Sequence, residues 1–253
     1  MIYFMKKFIK KIIGVKNVVR LKQIYGNLTG NFLTYKPLAS KNEYLNLHQE
    51  YIEKIKNDKF ILKNFSTFDI KFVNDLALIT QVVKKKSKIN WMHGFILMKA
   101  LRDFAYNKDI KINIFETGTS RGFSSIIMSY VLNKLDKEYC IDTLDLIPHD
   151  IKIYWNCISD VKNGKVSRRI LLCKYSDYLE KINFINGISS TIIKTIEVDK
   201  IDFAFLDGSH EYEDVKLEFE FVDKRNKKGD IIVLDDYTPT KFDGIVKLVK
   251  EIK

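Results

Sequence analysis

The sequence predicts an α/β protein, a doubly wound and mostly parallel sheet with a helical extension at its N-terminus. Three observations carry this prediction. From residue 111 onward, strand-length apolar runs alternate with helix-length segments, the rhythm of a parallel sheet covered on both faces. Two of the runs, Ile201–Leu206 and Ile231–Leu234, are almost wholly apolar, as strands buried on both sides are, and each stops abruptly at carboxylates. Residues 67–108 instead show helical stripes, Phe72, Leu76 and Ile79 in one and Phe95, Met98 and Leu101 in the other.

In chain order, the strands are expected at Ile112–Thr117, Tyr139–Leu146, Arg169–Cys173, Ile201–Leu206 and Asp230–Leu234. Helices are expected at Ser124–Leu135, Tyr178–Ile185 and Ile245–Ile252. Residues 23–65, with Gly26, Gly30 and Pro37, read as loop-rich, and the run Lys84–Lys88 as an exposed turn. The working domain is placed at 109–253, behind an extension over 1–108.

A chain of 253 residues can bury one full core plus such an extension. Its three cysteines, Cys140, Cys157 and Cys173, have no C-x-x-C spacing. They suggest neither a disulfide framework nor a zinc site, and fit a reducing cytoplasm. The net charge is +11, but residues 1–22 carry seven bases and no acid, leaving +4 for the rest. A basic tail is not a basic binding face, so no nucleic-acid partner is expected.

Within that tail Met5, Phe8, Ile9, Ile12 and Ile13 share one helical face, with lysines opposite. The pattern fits a helix lying on an anionic membrane surface, and equally one packed on its own domain or on a second subunit of a homo-oligomer. Lysines interrupt any signal-peptide core, and no run reaches the roughly 20 apolar residues of a membrane span. The expected location is cytoplasmic, with peripheral contact at the inner membrane face through residues 1–22 as one alternative.

The acids after the last two strands are the strongest functional signal. Between them Glu211–Asp214 supplies acids for a first helical turn, Val215, Phe219 and Val222 an apolar stripe, and Lys224–Lys228 then Gly229 an ending. A right-handed crossover makes the flanking strands parallel and puts both carboxyl ends on one rim, where open α/β sheets bind ligands. Asp207, His210, Asp235 and Asp236 can converge there; the plain alternative is that the acids only cap loops.

A second signal surrounds Glu116-Thr-Gly118-Thr119-Ser120-Arg-Gly122. A buried strand ends in Glu116, two glycines turn the backbone, and a helix opens at Ser124 with N–H groups to offer. The spacing E-x-G-x-x-x-G is not the G-x-G-x-x-G of dinucleotide sites. The same residues spell G-x-S-x-G, with His93-Gly94 upstream, but a hydrolase elbow should follow several strands rather than the first. It would also leave Glu116, Asp235 and Asp236 without a task.

With these motifs in place, residues 109–253 resemble the Rossmann-like class I S-adenosylmethionine-dependent methyltransferases. They are most similar to the metal-dependent O-methyltransferases that act on catechols and on macrolide sugars. The resemblance implies that Glu116, Gly118, Thr119, Ser120, Gly122 and Ser124 hold the amino-acid end of S-adenosyl-L-methionine. Asp145 would receive the ribose hydroxyls, and Tyr175 and Ser176, after the expected third strand, the adenine. Asp207, Asp235 and Asp236 would hold Mg²⁺, with Asp207 also facing the cofactor. His210 would be the base, where the catechol branch has lysine. The phrase Asp207-Gly-Ser-His-Glu-Tyr212 is characteristic of the sugar and antibiotic branch.

The implied chemistry is coherent. Displacement at a sulfonium methyl needs an aligned, nucleophilic hydroxyl; a hard cation lowers that hydroxyl's pKa and a histidine takes its proton. The expected acceptor is a hydroxyl on a sugar, a glycan or a secondary metabolite. The alternatives are a metal-free N- or small-molecule methyltransferase, and a non-catalytic cofactor-fold protein that binds a partner.

Two departures accompany the resemblance. The class usually continues after strand five with a helix and an antiparallel strand pair, whereas this sequence stops at Lys253. The sheet is then short, or the N-terminal region or a partner completes it. The segment Ile147–Ser167, with Tyr154 and Trp155, is a long connection that reads equally as a lid over the acceptor or as a packed helix.

Overall fold

The computed structural model describes residues 38–85, 88–238 and 242–252, so the basic segment 1–22 lies outside the described residues. Among the described residues four helices precede the sheet: α1 (Lys41–Ile55), α2 (Lys59–Asn64), α3 (Thr67–Thr80) and α4 (Met92–Ala105). The expectation of loops through residue 65 is therefore corrected over 41–64. The signals were local. Ser40 and Glu43 close a reciprocal capping box on α1, and the Asp58 carboxylate accepts from the Ile61 N–H at 3.0 Å to start α2. Tyr44, Tyr51 and Ile55 then bury one face of α1.

The sheet follows. Its elements are β1 (Ile112–Thr117), α5 (Phe123–Lys134), β2 (Tyr139–Asp145), α6 (Ile158–Asn163), α7 (Arg168–Leu171), a 3₁₀ turn (Cys173–Tyr178), β3 (Ile182–Asn186), α8 (Ser189–Ile192), β4 (Phe203–Leu206), α9 (Tyr212–Asp223), β5 (Ile231–Leu234) and α10 (Asp243–Ile252). All pairings are parallel, in the order β3-β2-β1-β4-β5. The order reverses between β1 and β4, which makes that the switch point where a ligand crevice opens.

The expected strand Arg169–Cys173 and helix Tyr178–Ile185 are both corrected. Ser167 caps α7 by accepting from the Ile170 N–H at 3.3 Å, which turns Arg168–Leu171 into a helix. The true third strand, Ile182-Asn-Phe-Ile-Asn186, lies at a sheet edge with only Ile182 buried and asparagines at two exposed positions, so no continuous apolar run marks it.

Register sets up the site. Thr117 pairs with Leu144 and Leu206, and Leu206 with Leu234, so the residues that follow these strands leave the sheet on one rim. On one sheet face Ile114, Phe203 and Phe205 share a continuous core with α5 and with the N-terminal helices, through Tyr44, Leu76, Trp91, Phe95 and Leu101. On the other, Phe115, Leu144, Ala204 and Leu206 pack with Phe221 and Val222 of α9. The segment 147–167 takes the packed form. Trp155, 2% exposed, is buried with Ile153, Val166 and Leu171, and Ile153 bridges Val166.

Candidate functional site

The turn after β1 needs its glycines. Gly118 has φ +91°, and a Cβ there would stand 2.1 Å from the Asp207 carbonyl oxygen. Gly122, at φ +85°, begins α5 without a side-chain cap, and its Cβ would meet Leu172 at 2.7 Å. Ser120 between them is left-handed at φ +49°. The first two turns of the chain at the switch point are thus pressed against each other with no room for side chains.

Glu116 is fully buried, and three hydroxyls donate to its carboxylate: Ser124, Ser125 and Thr143. Burial raises its pKa against those hydrogen bonds. As it stands Glu116 pins the first turn of α5 to β1 and β2. Thr119 is buried and shares a hydroxyl contact of 2.5 Å with Thr143.

Asp145 ends β2 on the same rim. Its carboxylate accepts from the Ser120 N–H and from the Ile147 N–H at 2.7 Å. The buried Arg168 guanidinium lies 3.3 Å away. Burial pushes the Asp145 pKa up, and Arg168 opposes the rise. Tyr175 and Ser176 are not brought to this place. They lie in the 3₁₀ turn before β3, and Tyr175 is buried in the core with its ring edge on Phe72. The residues that follow β3 beside Asp145 are Asn186–Ser189. There Asn186 donates to the Leu146 carbonyl at 2.8 Å, and the Gly187 N–H to the Asp145 carbonyl at 2.9 Å.

Beyond β4 and β5 the ladder continues one residue further. The Asp207 N–H donates to the Thr117 carbonyl at 3.0 Å and the Asp235 N–H to the Leu206 carbonyl at 3.1 Å. The Asp207, His210 and Asp236 ligand atoms all lie within 4.8 Å of one another. Asp235 is next to this trio without being part of it, so the grouping differs from the expected Asp207, Asp235 and Asp236. Asp236 holds a left-handed backbone, φ +55°, and its carboxylate meets His210 Nε2 at 2.8 Å. The other side of the imidazole stacks on Phe242, centroids 4.2 Å apart. A Cβ on Gly244 would stand 2.2 Å from the His210 carbonyl oxygen, so the start of α10 packs directly on this loop.

The electrostatics of the cluster are one-sided. Burial, then the charges of Asp235, Asp236, Glu116 and Glu218, push the Asp207 carboxyl up to about 8. Glu218, on α9, is fully buried beneath it and is raised to about 7, chiefly by burial. Its carboxylate accepts from Thr117 Oγ1 at 2.8 Å and from the Ser189 hydroxyl, and its Oε1 would touch a Cβ on Gly208 at 3.0 Å. One buried carboxyl thus laces together the ends of β1 and β4 and the segment after β3. Nothing in the spacing of the sequence pointed to it.

His93, in the first turn of α4, is a second residue that the motifs did not assign to this chemistry. Its ring stands edge-on to Phe123, centroids 5.1 Å apart, at the entrance of α5. Burial lowers its pKa while the charges of Asp235 and Asp236 oppose the fall, so the N-terminal helices bring an imidazole to the acid cluster. The signal in the sequence was His93-Gly94: a Cβ on Gly94 would stand 2.6 Å from the Phe123 ring.

Comparison with known proteins bears on the same rim. A protein-family model described as a methyltransferase domain matches residues 115–237. Among solved structures, the O-methyltransferase NovP is 15% identical, covering 73% of this chain and 91% of its own, with a TM-score of 0.52. CalS11, a calicheamicin methyltransferase, is 15% identical, covering 83% of this chain and 84% of its own, with a TM-score of 0.50. A second CalS11 structure, described as an apo TDP-rhamnose 3′-O-methyltransferase, is 16% identical over 85% of this chain and 87% of its own, with a TM-score of 0.49. No curated protein matches the chain by sequence.

Residues 115–237 match a methyltransferase domain, and the sheet order and the glycine turn at the switch point are those of the class I S-adenosylmethionine-dependent methyltransferase fold. In fold it is similar to the O-methyltransferase NovP and to the calicheamicin methyltransferase CalS11.

Proposed function

We propose that the chain is a divalent-cation-dependent O-methyltransferase whose acceptor is a hydroxyl on a sugar, a glycan or a secondary metabolite. The single observation that carries the reading is the convergence of Asp207, His210 and Asp236 at the strand ends, their ligand atoms within 4.8 Å of one another. Burial, then the charges of four neighbouring carboxyls, push the Asp207 carboxyl up to about 8, and a cation at this point would take the proton's place. The donor set fits such an ion: Asp207 and Asp236, grouped with His210 within 4.8 Å, and the neighbouring Asp235 offer carboxylate oxygens, which leaves His210 the role of base.

The ion, Mg²⁺ by preference for oxygen donors, would supply a Lewis acid that lowers the pKa of the acceptor hydroxyl. S-adenosylmethionine would supply the methyl group on a sulfonium. Gly118 and Gly122 admit the cofactor's amino-acid end to the backbone, with Thr119, Ser120 and Ser124 around it and Glu116 fixing the turn from beneath. Asp145 takes the ribose, and the adenine lies against Asn186–Ser189 rather than Tyr175 and Ser176. His210 accepts the acceptor's proton while Asp236 and Phe242 fix its ring. His93 borders the acceptor from the N-terminal side.

The sugar branch is supported by the phrase Asp207-Gly-Ser-His-Glu-Tyr212 and by the sugar named for the relative CalS11. A second reading is favoured by one observation. The His210–Asp236 pair is by itself a base with its orienting carboxylate, an arrangement that deprotonates an acceptor without metal. The small charge excess outside residues 1–22 speaks against a nucleic-acid acceptor. No described helix is long and apolar enough to cross a membrane, and a cytoplasmic site of action, with any membrane or subunit contact through 1–22, belongs to this proposal. The test is transfer of labelled methyl from S-adenosylmethionine to a panel of nucleotide-linked sugars, with Mg²⁺ or with EDTA. Transfer abolished by EDTA and restored by Mg²⁺ supports the first reading; transfer indifferent to EDTA supports the second.

A further inference from the structure

Arg168 is a cation with 1% of its side chain exposed, beside the expected ribose acid, in a segment that no motif assigned. Burying a guanidinium is costly unless each donor is used. Here Nε donates to the Ser120 carbonyl at 2.8 Å, and Nη2 to the Ile147 carbonyl at 3.2 Å, with the Asp145 carboxylate 3.3 Å away. Trp155 and Phe184 stand on the guanidinium's flanks, ring centroids 5.6 and 5.7 Å from it. The side chain therefore reaches Ser120 in the turn after β1, Ile147 in the segment after β2 and the Asp145 carboxylate at the end of β2.

The same two segments return the favour to Asp145. The Ser120 and Ile147 N–H groups donate to the carboxylate whose flanking carbonyls Arg168 holds. A carboxylate has about four lone-pair positions, and these three donors leave about one for a ligand hydroxyl. That position is useful only if the others are held in place. We propose that Arg168 is a positioning residue for the cofactor, acting through Asp145 and the Ser120 turn, and that it couples the segment 147–167 to the ribose subsite. This rests on the reading of Asp145 as the acid that takes the ribose.

Calorimetry with S-adenosylhomocysteine tests it on the full chain, without any need for the acceptor. The proteins are wild type, R168Q, R168K, D145N and R168Q/D145N, each first shown folded by circular dichroism. Glutamine keeps an amide donor for the carbonyls and removes the charge; lysine keeps the charge. R168Q and D145N are each expected to weaken binding about tenfold, the scale of one charge-assisted contact. R168K should recover part of the loss. The double variant should bind no more weakly than D145N alone, because a residue that acts through Asp145 has nothing to act on once it is gone. Wild-type affinity in folded R168Q, with D145N weakened, overturns the proposal, and so do losses that multiply in the double variant. If R168Q does not fold, the same cycle with R168K decides. A D145N protein that binds like wild type removes the ribose assignment itself, and this inference with it.

Discussion

His210 and Asp236 meet at 2.8 Å across the ends of two adjacent strands, and Phe242 backs the imidazole from its other side. The histidine comes from the loop after β4 and its carboxylate from the loop after β5, so the parallel register of these strands brings the pair together. Replacing His210 by glutamine is expected to lower kcat by at least about a hundredfold, the scale of general-base catalysis, while S-adenosylhomocysteine binds with unchanged affinity. D236N should share the loss of kcat. A fall in cofactor affinity of the same size in H210Q would place the histidine elsewhere in the mechanism.

The acid cluster makes stability depend on pH in a defined direction. Asp207 titrates at about 8 and Glu218 at about 7 in the folded chain, both above the ordinary carboxylate value. The folded state therefore binds more protons, and the stabilisation is complete below the ordinary value and lost as pH rises through about 7 to 8. Thermal melts should show Tm falling across this window. D207N should flatten the slope and raise Tm at pH 8 by about 2–4 °C, the equivalent of roughly 1 kcal/mol in a chain of this size. Added Mg²⁺ should stabilise the wild type more at pH 8 than at pH 6, because the ion competes with the proton.

The two strand ends at the switch point leave no space for a methyl group at Gly118. G118A puts a Cβ 2.1 Å from the Asp207 carbonyl in a backbone conformation of φ +91°. It is expected to abolish S-adenosylhomocysteine binding and to lower Tm well beyond the shift in G229A. Gly229 also has positive φ, +94°, but meets nothing within 4 Å, so its substitution costs only the backbone strain of about 1–2 kcal/mol. Equal shifts in the two variants would show that contact with Asp207 does not matter.

His93 should separate acceptor from cofactor. H93Q is expected to raise the acceptor KM several-fold, with the affinity for S-adenosylhomocysteine unchanged, since the charges of Asp235 and Asp236 act on its imidazole and its ring meets Phe123. A changed cofactor affinity with an unchanged acceptor KM would contradict its placement.

Much of this was legible in the sequence because the signals were local and strong. The run ending at Leu206 is buried on both faces and stops at a carboxylate, and the glycine turn after Thr117 needs a side-chain-free backbone. The run ending at Leu234 also stops at a carboxylate, although it forms a half-buried edge strand rather than the buried strand expected. β3 was missed because an edge strand with Asn183 and Asn186 has no continuous apolar run, and with it Tyr175 and Ser176 were placed after the third strand, whereas they precede it. α1 and α2 hid behind a polar composition that their caps outweigh. Glu218, Arg168 and His93 gain their importance from contacts far along the chain, for example Glu218 with Thr117 at a separation of 101, which no local pattern carries.

The most direct measurement is calorimetric titration of the full chain with S-adenosylhomocysteine, with and without Mg²⁺, repeated on D207N. The account predicts binding by the wild type, a cation effect on it or on Mg²⁺ uptake measured in the complex, and loss of that effect in D207N. No binding of S-adenosylhomocysteine under either condition would contradict the central claim, and binding wholly indifferent to Mg²⁺ in both proteins would contradict the metal centre.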